Sequence, residues 1–320
     1  MTVAIGAICN IGANRPPCVV AACDRMVTIR GLQYEPHQRK TVELATTTVA
    51  LFAGEMQLHA AVTPKTSERL KALTGERDQP RLTVQEIAEI YAEEFGYYRR
   101  NLAEREVLVP RGLNFANLPR QLSGWPHYQV RELDAMLAAH SVDSTAIIVG
   151  IDHLGAHIYV VRDPGVAASY AIPCFACAGS GKDIAEAQFM VAQYDKQWPL
   201  SKALWLAYSA KARAQVAGGV GPETDLIVIA PGRIDYATDA QTKYLFEMFK
   251  HARAKENDAQ NEAVSVLEVN LAMGAAKSQD QSADQNVPQA GGIDLNGGGD
   301  LAQQQAEEGG STEDDPPTSS

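Results

Sequence analysis

The sequence has no long apolar run, few cysteines and no excess of positive charge, and each shortage excludes a class of protein. No stretch approaches the roughly 20 apolar residues of a membrane-spanning helix, so we expect no membrane partner. A formal net charge of −11 leaves no basic face for nucleic acid. The five cysteines are odd in number and lie mostly in apolar, strand-like stretches, which favours reduced thiols over a disulfide framework.

Targeting and ligand-binding signals are also scarce. The chain lacks the basic start of a secretory signal peptide, because Arg15 is its first basic residue and follows the apolar stretch. With the reduced cysteines, this predicts a cytoplasmic protein. The histidines lack metal-ligand spacing, so we expect no metal. The "GSGK" stretch at 179–182 lacks the first Gly and the Ser/Thr of a phosphate-binding loop, so no cofactor is expected.

Composition divides the chain near residue 255. Residues 2–254 are rich enough in apolar side chains to form one globular domain. Residues 255–320 are rich in Gln, Asp, Gly and Ser and nearly devoid of aromatics, which predicts an acidic, largely disordered tail. Within it, the weakly apolar stretch 263–273 could dock or fold transiently.

The order of predicted elements in the globular part is strands, two helices, strands, two helices, a strand and a last helix. Predicted strands cover 2–9, 18–24, 40–45, 47–54, 145–152, 156–162, 167–172 and 225–230, and predicted helices cover 55–73, 83–107, 128–139, 180–196, 200–217 and 241–254. Thr83 followed by Glu86 is a capping-box signature. Segregated strands and helices favour an α+β fold. Two sheets face to face, with a helix pair outside each, would bury every apolar face.

Thr2 stands directly behind the initiator Met, at the start of the first predicted strand. Methionine aminopeptidases remove Met when the next side chain is small, so Thr2 could carry a free α-amine. Such a residue holds a nucleophile and a base together. The alternative is that Thr2 merely starts a strand, since Thr favours strands.

Four landmarks in order give a resemblance to a known family. They are Thr2 at the first strand, "VVAACDRMVT", "KTVELATTTVALFAG", and "GIDHLGAHIYVVRDPG" followed by "AGSGKDIAEAQF". In these the chain resembles a proteasome β-type subunit of the N-terminal nucleophile (Ntn) hydrolase superfamily. The resemblance covers roughly residues 2–235, with about 108–140 as an insert. It implies a four-layer αββα sandwich.

The resemblance also implies roles for five residues. Thr2 would be the nucleophile with its own amine as base, Lys40 would lower the barrier, and Asp24 would be the counter-ion of Lys40. The Gly54 N–H would stabilise the oxyanion, and Ser180 matches a Ser near the nucleophile's amine. Each has a simpler alternative: a solvent-facing lysine, an Asp that starts a turn, a Gly that lets the chain bend, and for Ser180 an N-cap.

The family alignment further predicts the pocket for the P1 side chain of a substrate. Its walls would be Val27, Gln38, Val42, Phe52 and Met56. Four of these are apolar and none is charged, so small or medium apolar P1 residues should be preferred.

The sequence departs from the family at Ala214 and Ala217, where an Asp and a Ser usually help to hold the nucleophile's amine. This departure predicts weakened or absent activity. The resemblance implies a threonine-type endopeptidase that acts on unfolded polypeptides inside a homo-oligomeric ring, with an ATP-dependent unfoldase as a further partner that it allows. The alternatives are a catalytically inactive, proteasome-like scaffold subunit and an Ntn amidase on a non-peptide substrate.

Overall fold

The structure is a computed structural model that describes residues 2–11, 16–29, 32–74 and 82–283. The chain divides into two units, Met1–Lys255 and Glu256–Ser320. It is an α+β protein of helices and antiparallel sheets.

The strands are β1 (Ala4–Asn10), β2 (Pro17–Asp24), β3 (Val27–Ile29), β4 (Leu32–Tyr34), β5 (Thr41–Ala45), β6 (Thr48–Gly54), β7 (Ser144–Asp152), β8 (Gly155–Arg162), β9 (Val166–Ser169), β10 (Phe175–Ala178), β11 (Thr224–Ala230) and β12 (Arg233–Tyr236). The helices are α1 (Met56–Thr74), α2 (Val84–Ala103), α3 (Leu118–Gln121), α4 (His127–Ala139), α5 (Lys182–Val191), α6 (Leu200–Ala214) and α7 (Asp239–Ala283), with a π-helical turn at Glu104–Leu108 and a 3-10 turn at Val109–Arg111.

The strands form two five-stranded sheets and one hairpin. The first sheet has the order β10-β1-β2-β11-β12 and the second has the order β5-β6-β7-β8-β9, while β3 pairs with β4. Every neighbouring pair is antiparallel. Asp24 at the end of β2 lies opposite Thr224 of β11, and its N–H donates to the Val3 carbonyl oxygen at 3.3 Å, beside the start of β1.

Strands β1 and β2 of the first sheet are apolar on both faces, and the packing explains why. Along β1, Ala4 and Ile8 belong to a core cluster that also takes residues from β6, β7 and β8 of the second sheet. The alternate residues Val3, Ile5 and Ala7 belong to a second cluster formed with α5 and α6. The outer face of the second sheet packs against α1 and α2 in the same way. A strand covered on both faces needs a continuous apolar run, as β1 has.

Most predicted elements are found, and the capping box of α2 is confirmed. The Thr83 hydroxyl accepts a hydrogen bond from the Glu86 N–H at 3.2 Å, and the Thr83 N–H donates to the Glu86 carboxylate at 2.7 Å. Sequence analysis missed β3, β4, β10 and β12. These strands have three or four residues each, so their hydrogen bonds depend on a partner strand rather than on a local pattern.

The last helix is longer than predicted. We expected it to end at 254, but α7 continues to Ala283, which corrects the predicted disorder for 255–283. This stretch contains six Ala, three Glu and three Gln, which favour a helix even without a core to pack on. The remainder of the predicted tail, 284–320, lies outside the described residues.

The predicted insert forms a small apolar cluster of its own. Leu108, Leu113 and Leu133 are buried together, and Trp125 packs against them. No helix in the described part of the chain is both long and apolar enough to cross a membrane.

Candidate active site

Thr2 lies two residues before the first residue of β1, not within the strand as predicted, and it is 1% exposed. Its carbonyl oxygen accepts a hydrogen bond from the Gly181 N–H at 3.2 Å. Gly179 comes so close that a Cβ there would lie 2.2 Å from the same oxygen, and its φ of +92° also favours glycine. The "AGSG" stretch therefore fixes the backbone of Thr2.

Asp24 ends β2 and is fully buried beside Thr2. The Thr2 hydroxyl donates a hydrogen bond to Asp24 Oδ1. The same oxygen accepts the Val3 N–H at 2.8 Å, and Oδ2 accepts the Met26 N–H at 2.9 Å. These hydrogen bonds hold the carboxylate in one orientation.

Lys40 precedes β5 and is 3% exposed, so it is not the solvent-facing lysine of the alternative reading. Its Nζ donates to Thr2 Oγ1 at 2.9 Å and lies 3.3 Å from Asp24 Oδ2. Burial lowers the pKa of Lys40, and the charge of Asp24 partly offsets that effect. Thr2 Oγ1 thus lies between a buried cation and a buried anion.

Gly54 ends β6 at the point where the chain turns into α1. Its φ of +93° is a conformation that L side chains rarely adopt, and a Cβ there would lie 2.0 Å from the Asp143 carbonyl oxygen. The next N–H, of Glu55, donates to that oxygen at 3.1 Å and to the Ser144 hydroxyl at 3.0 Å. The bend is therefore held tightly against the start of β7.

Ser180 does not cap a helix, so that alternative is wrong. Helix α5 begins at Lys182 with Gly181 as its N-cap, and no side chain caps it. The Ser180 hydroxyl lies 3.4 Å from the Thr2 carbonyl oxygen and 3.1 Å from the Gly218 carbonyl oxygen. Since one hydroxyl donates one proton, Ser180 can bond only one of these oxygens at a time.

Thr2, Lys40 and Gly54 line one cleft of about 590 Å³. Of the five residues predicted for the P1 pocket, Val27 and Met56 also line it. The other lining residues are Met26, Thr28, Glu55, Gln57 and Asp143.

The predicted P1 pocket needs correction at three positions. Phe52 is 3% exposed and packs in the core with α1 and α2, Val42 packs against the same core, and Gln38 is exposed outside the cleft. The alignment placed them by strand position, but β6 directs Phe52 into the core. The cleft instead has two carboxylates, of Glu55 and Asp143, which the uncharged pocket of the prediction lacks.

Lys211 is a buried residue near the site that sequence analysis missed. It lies on α6 with no exposed surface, and its Nζ donates to the carbonyl oxygens of Gly221 and Pro222 at 2.7 and 2.8 Å. The Gly221 N–H in turn donates to Asp24 Oδ2 at 3.3 Å. Burial lowers the pKa of Lys211 to about 8, while Asp24 and Glu35 act in the opposite direction.

The sequence signal for Lys211 was a charged residue among alanines on an otherwise apolar helix face. It holds the loop that follows Ala214 and Ala217, the two positions where the resemblance to proteasome β-type subunits predicts an Asp and a Ser. Ala214 is fully buried in the core between α6 and the first sheet. Its surroundings are therefore apolar, and no carboxylate stands there.

No group of three or more His, Cys, Asp and Glu side chains among the described residues could hold a metal ion. A scan of the chain against protein-family models finds no match. A search of the curated proteins finds no match either.

Proposed function

We propose that this protein is a threonine-type endopeptidase of the Ntn hydrolase superfamily, with a four-layer αββα sandwich like that of proteasome β-type subunits. Two observations support the fold: one core cluster takes residues from both sheets, and each sheet packs a helix pair on its other face. The observation that carries the function is the position of Thr2 Oγ1, which contacts both Lys40 Nζ and Asp24 Oδ1 at the edge of a cleft.

The proposed chemistry is acyl transfer to the Thr2 hydroxyl. Oγ1 attacks the carbonyl carbon of the scissile peptide, and its proton passes to the free α-amine of Thr2. Collapse of the tetrahedral intermediate breaks the C–N bond, and the proton goes to the leaving amine. Water then attacks the resulting ester and releases the acid. A free amine requires removal of Met1.

The surrounding groups lower the barrier by charge. The Lys40 ammonium, 2.9 Å from Oγ1, favours negative charge on that oxygen as it becomes a nucleophile. Asp24 keeps Lys40 charged and in place despite its burial. Gly54, across the same cleft, offers its N–H to the substrate oxyanion.

The two alternatives share the fold but differ in chemistry. An inactive scaffold subunit would keep Met1 or fail to react, and an amidase would react but leave peptides intact. Intact mass measured with and without a threonine-directed epoxyketone distinguishes the inactive scaffold subunit from the two active enzymes. Loss of Met1 followed by one covalent adduct supports the peptidase or the amidase, and hydrolysis of unfolded casein then distinguishes these two.

The corrected cleft changes the expected P1 preference. We expect cleavage after Leu or Arg to be faster than cleavage after Glu, because Met26, Val27 and Met56 offer apolar contacts while Glu55 and Asp143 repel an acid. Glu55→Gln should lower the rate after Arg about two- to fivefold relative to Leu, since exposed ion pairs contribute about 0.2–1 kcal/mol. A fluorogenic peptide panel measures this.

Glu68→Gln is the matched control, because Glu68 is exposed on α1, the helix that directly follows Glu55, but does not line the cleft. Its Arg-to-Leu ratio should equal that of the wild type. Faster cleavage after Glu than after Leu would show that the cleft is misassigned.

We further propose a closed homo-oligomeric ring, because a protease for unfolded chains must hide its nucleophile. Leu73 on α1 and Tyr97 on α2 are each 56% exposed, and they give the outer helices apolar surface for a neighbour. We expect light scattering at micromolar concentration to give a mass of about six or more subunits. A mass near 34.5 kDa, that of one chain, would contradict the ring.

A further inference from the structure

A buried histidine contacts the peptide bond between Ala53 and Gly54. His59 lies in the first turn of α1 and is 1% exposed. Its Nε2 is 3.1 Å from the Ala53 carbonyl oxygen, and its Nδ1 is 2.8 Å from the hydroxyl oxygen of Tyr91 on α2. The imidazole also stacks on Phe52, with ring centroids 4.4 Å apart. Three elements therefore fix this side chain.

The partners of His59 determine where its proton lies. A carbonyl oxygen only accepts hydrogen bonds, so Nε2 must carry the proton and donate it to Ala53. Nδ1 is then bare and accepts the Tyr91 O–H. Burial lowers the pKa of His59 to about 4 and raises that of Tyr91, so both are neutral near pH 7.

The hydrogen bond to Ala53 reaches Gly54 through the peptide plane. In a trans peptide the C=O and the following N–H are coplanar and point in opposite directions, so a donor that fixes the Ala53 carbonyl also fixes the Gly54 N–H. A hydrogen bond at the carbonyl polarises the amide and strengthens its N–H as a donor. This hydrogen bond adds to the contacts with Asp143 and Ser144, which hold the bend on the other side of Gly54.

We propose that His59 and Tyr91 are positioning residues that aim and polarise the Gly54 N–H toward the carbonyl oxygen of a substrate bound at Thr2. This inference rests on the proposed peptidase function. It assigns a role to a polar pair that lies in an otherwise apolar cluster between α1, α2 and the second sheet. Neither side chain lines the cleft, so both act only through Gly54.

The test compares two substitutions at one position. His59→Phe keeps a stacked ring of similar volume but loses the donor, and His59→Gln offers an amide N–H for Ala53 and an amide oxygen for Tyr91. We expect His59→Phe to lower kcat about 10- to 100-fold with KM changed less than about threefold, somewhat below the loss for removing an oxyanion donor outright. His59→Gln should return kcat to within a few-fold of wild type.

Two companion measurements distinguish a loss of positioning from a loss of folded, competent enzyme. Titration with the epoxyketone normalises each rate to the competent fraction, and the melting temperature of each variant is compared with its kcat. Tyr91→Phe should cost only a few-fold in kcat, because the His59–Ala53 hydrogen bond remains. Equal losses of kcat in His59→Phe and His59→Gln would overturn the proposal.

A spectroscopic readout tests the positioning without turnover. In protein labelled with ¹⁵N-glycine, the Gly54 amide nitrogen should move upfield in His59→Phe and return toward its wild-type position in His59→Gln, since the hydrogen bond at the preceding carbonyl deshields it. If the wild type hydrolyses nothing, the proposed function has failed, yet this pattern would still support the positioning of Gly54. An unchanged Gly54 resonance in His59→Phe would overturn it.

Discussion

Thr2→Ala is expected to reduce peptide hydrolysis to background, a loss of about 10⁴-fold or more in kcat. The substitution removes the attacking oxygen, and no other hydroxyl contacts both Lys40 and Asp24 among the described hydrogen bonds. The fold should survive, because Asp24 keeps its ion pair with Lys40 and its bonds from the Val3 and Met26 N–H groups. Steady-state hydrolysis of a fluorogenic peptide measures the loss.

Thr2→Ser is the matched control for this prediction. It keeps the hydroxyl and still allows removal of Met1, so it should retain measurable turnover and form the epoxyketone adduct. Unchanged melting temperature and oligomer mass in Thr2→Ala would show that only chemistry was lost. Turnover in Thr2→Ala similar to that of the wild type would disprove the nucleophile assignment.

Lys40→Met is expected to lower kcat/KM by about 10²- to 10³-fold, the most severe defect after that of Thr2→Ala. Methionine fills a similar volume but cannot place a positive charge 2.9 Å from Thr2 Oγ1. The buried Asp24 would then lack its cation, and breaking a buried pair also destabilises the fold by about 3–5 kcal/mol. The rate should therefore be measured well below the melting temperature of the variant.

Asp24→Asn separates charge from shape in the same pair. It keeps the size of the side chain and one acceptor oxygen, but it removes the negative charge that partly offsets the burial of Lys40. We expect a smaller loss of rate than in Lys40→Met, since Lys40 remains the group that stabilises the oxyanion-like nucleophile. Arg69→Met, which breaks the pairs of Arg69 with Glu93 and Glu94 away from the cleft, controls for general charge loss and should leave the rate unchanged. A Lys40→Met rate within a few-fold of the wild type would show that the lysine has no chemical role.

The substituted alanines at 214 and 217 raise the question of how the amine of Thr2 would be held. The resemblance predicts weaker activity without the family's Asp and Ser. The structure adds Lys211, whose bonds to Gly221 and Pro222 fix the loop that donates to Asp24. Lys211 therefore supports the site through Asp24, which also accepts the Val3 N–H and the Thr2 hydroxyl.

The sequence by itself determined the α+β class and most of the long elements. Apolar runs such as those of β1 and β2, and the Thr83–Glu86 signature, depend on neighbours within a few residues, so they can be predicted from local pattern. The family landmarks likewise selected Thr2, Asp24 and Lys40. Their order along the chain gave no distances, however, and each kept a simpler alternative.

Tertiary structure alone decided how these residues meet. Lys40 is buried because the strand that follows it pairs with β6 and turns its side chain onto Asp24, 16 positions away in sequence. Short strands such as β10 form only where a partner strand satisfies their hydrogen bonds. The lining of the cleft was also beyond sequence, since the pairing of β6 directs Phe52 into the core and the bend at Gly54 brings Glu55 to the cleft. The roles of His59 and Lys211 depend on backbone atoms that folding brings within hydrogen-bond range, and no spacing of residue types encodes such contacts.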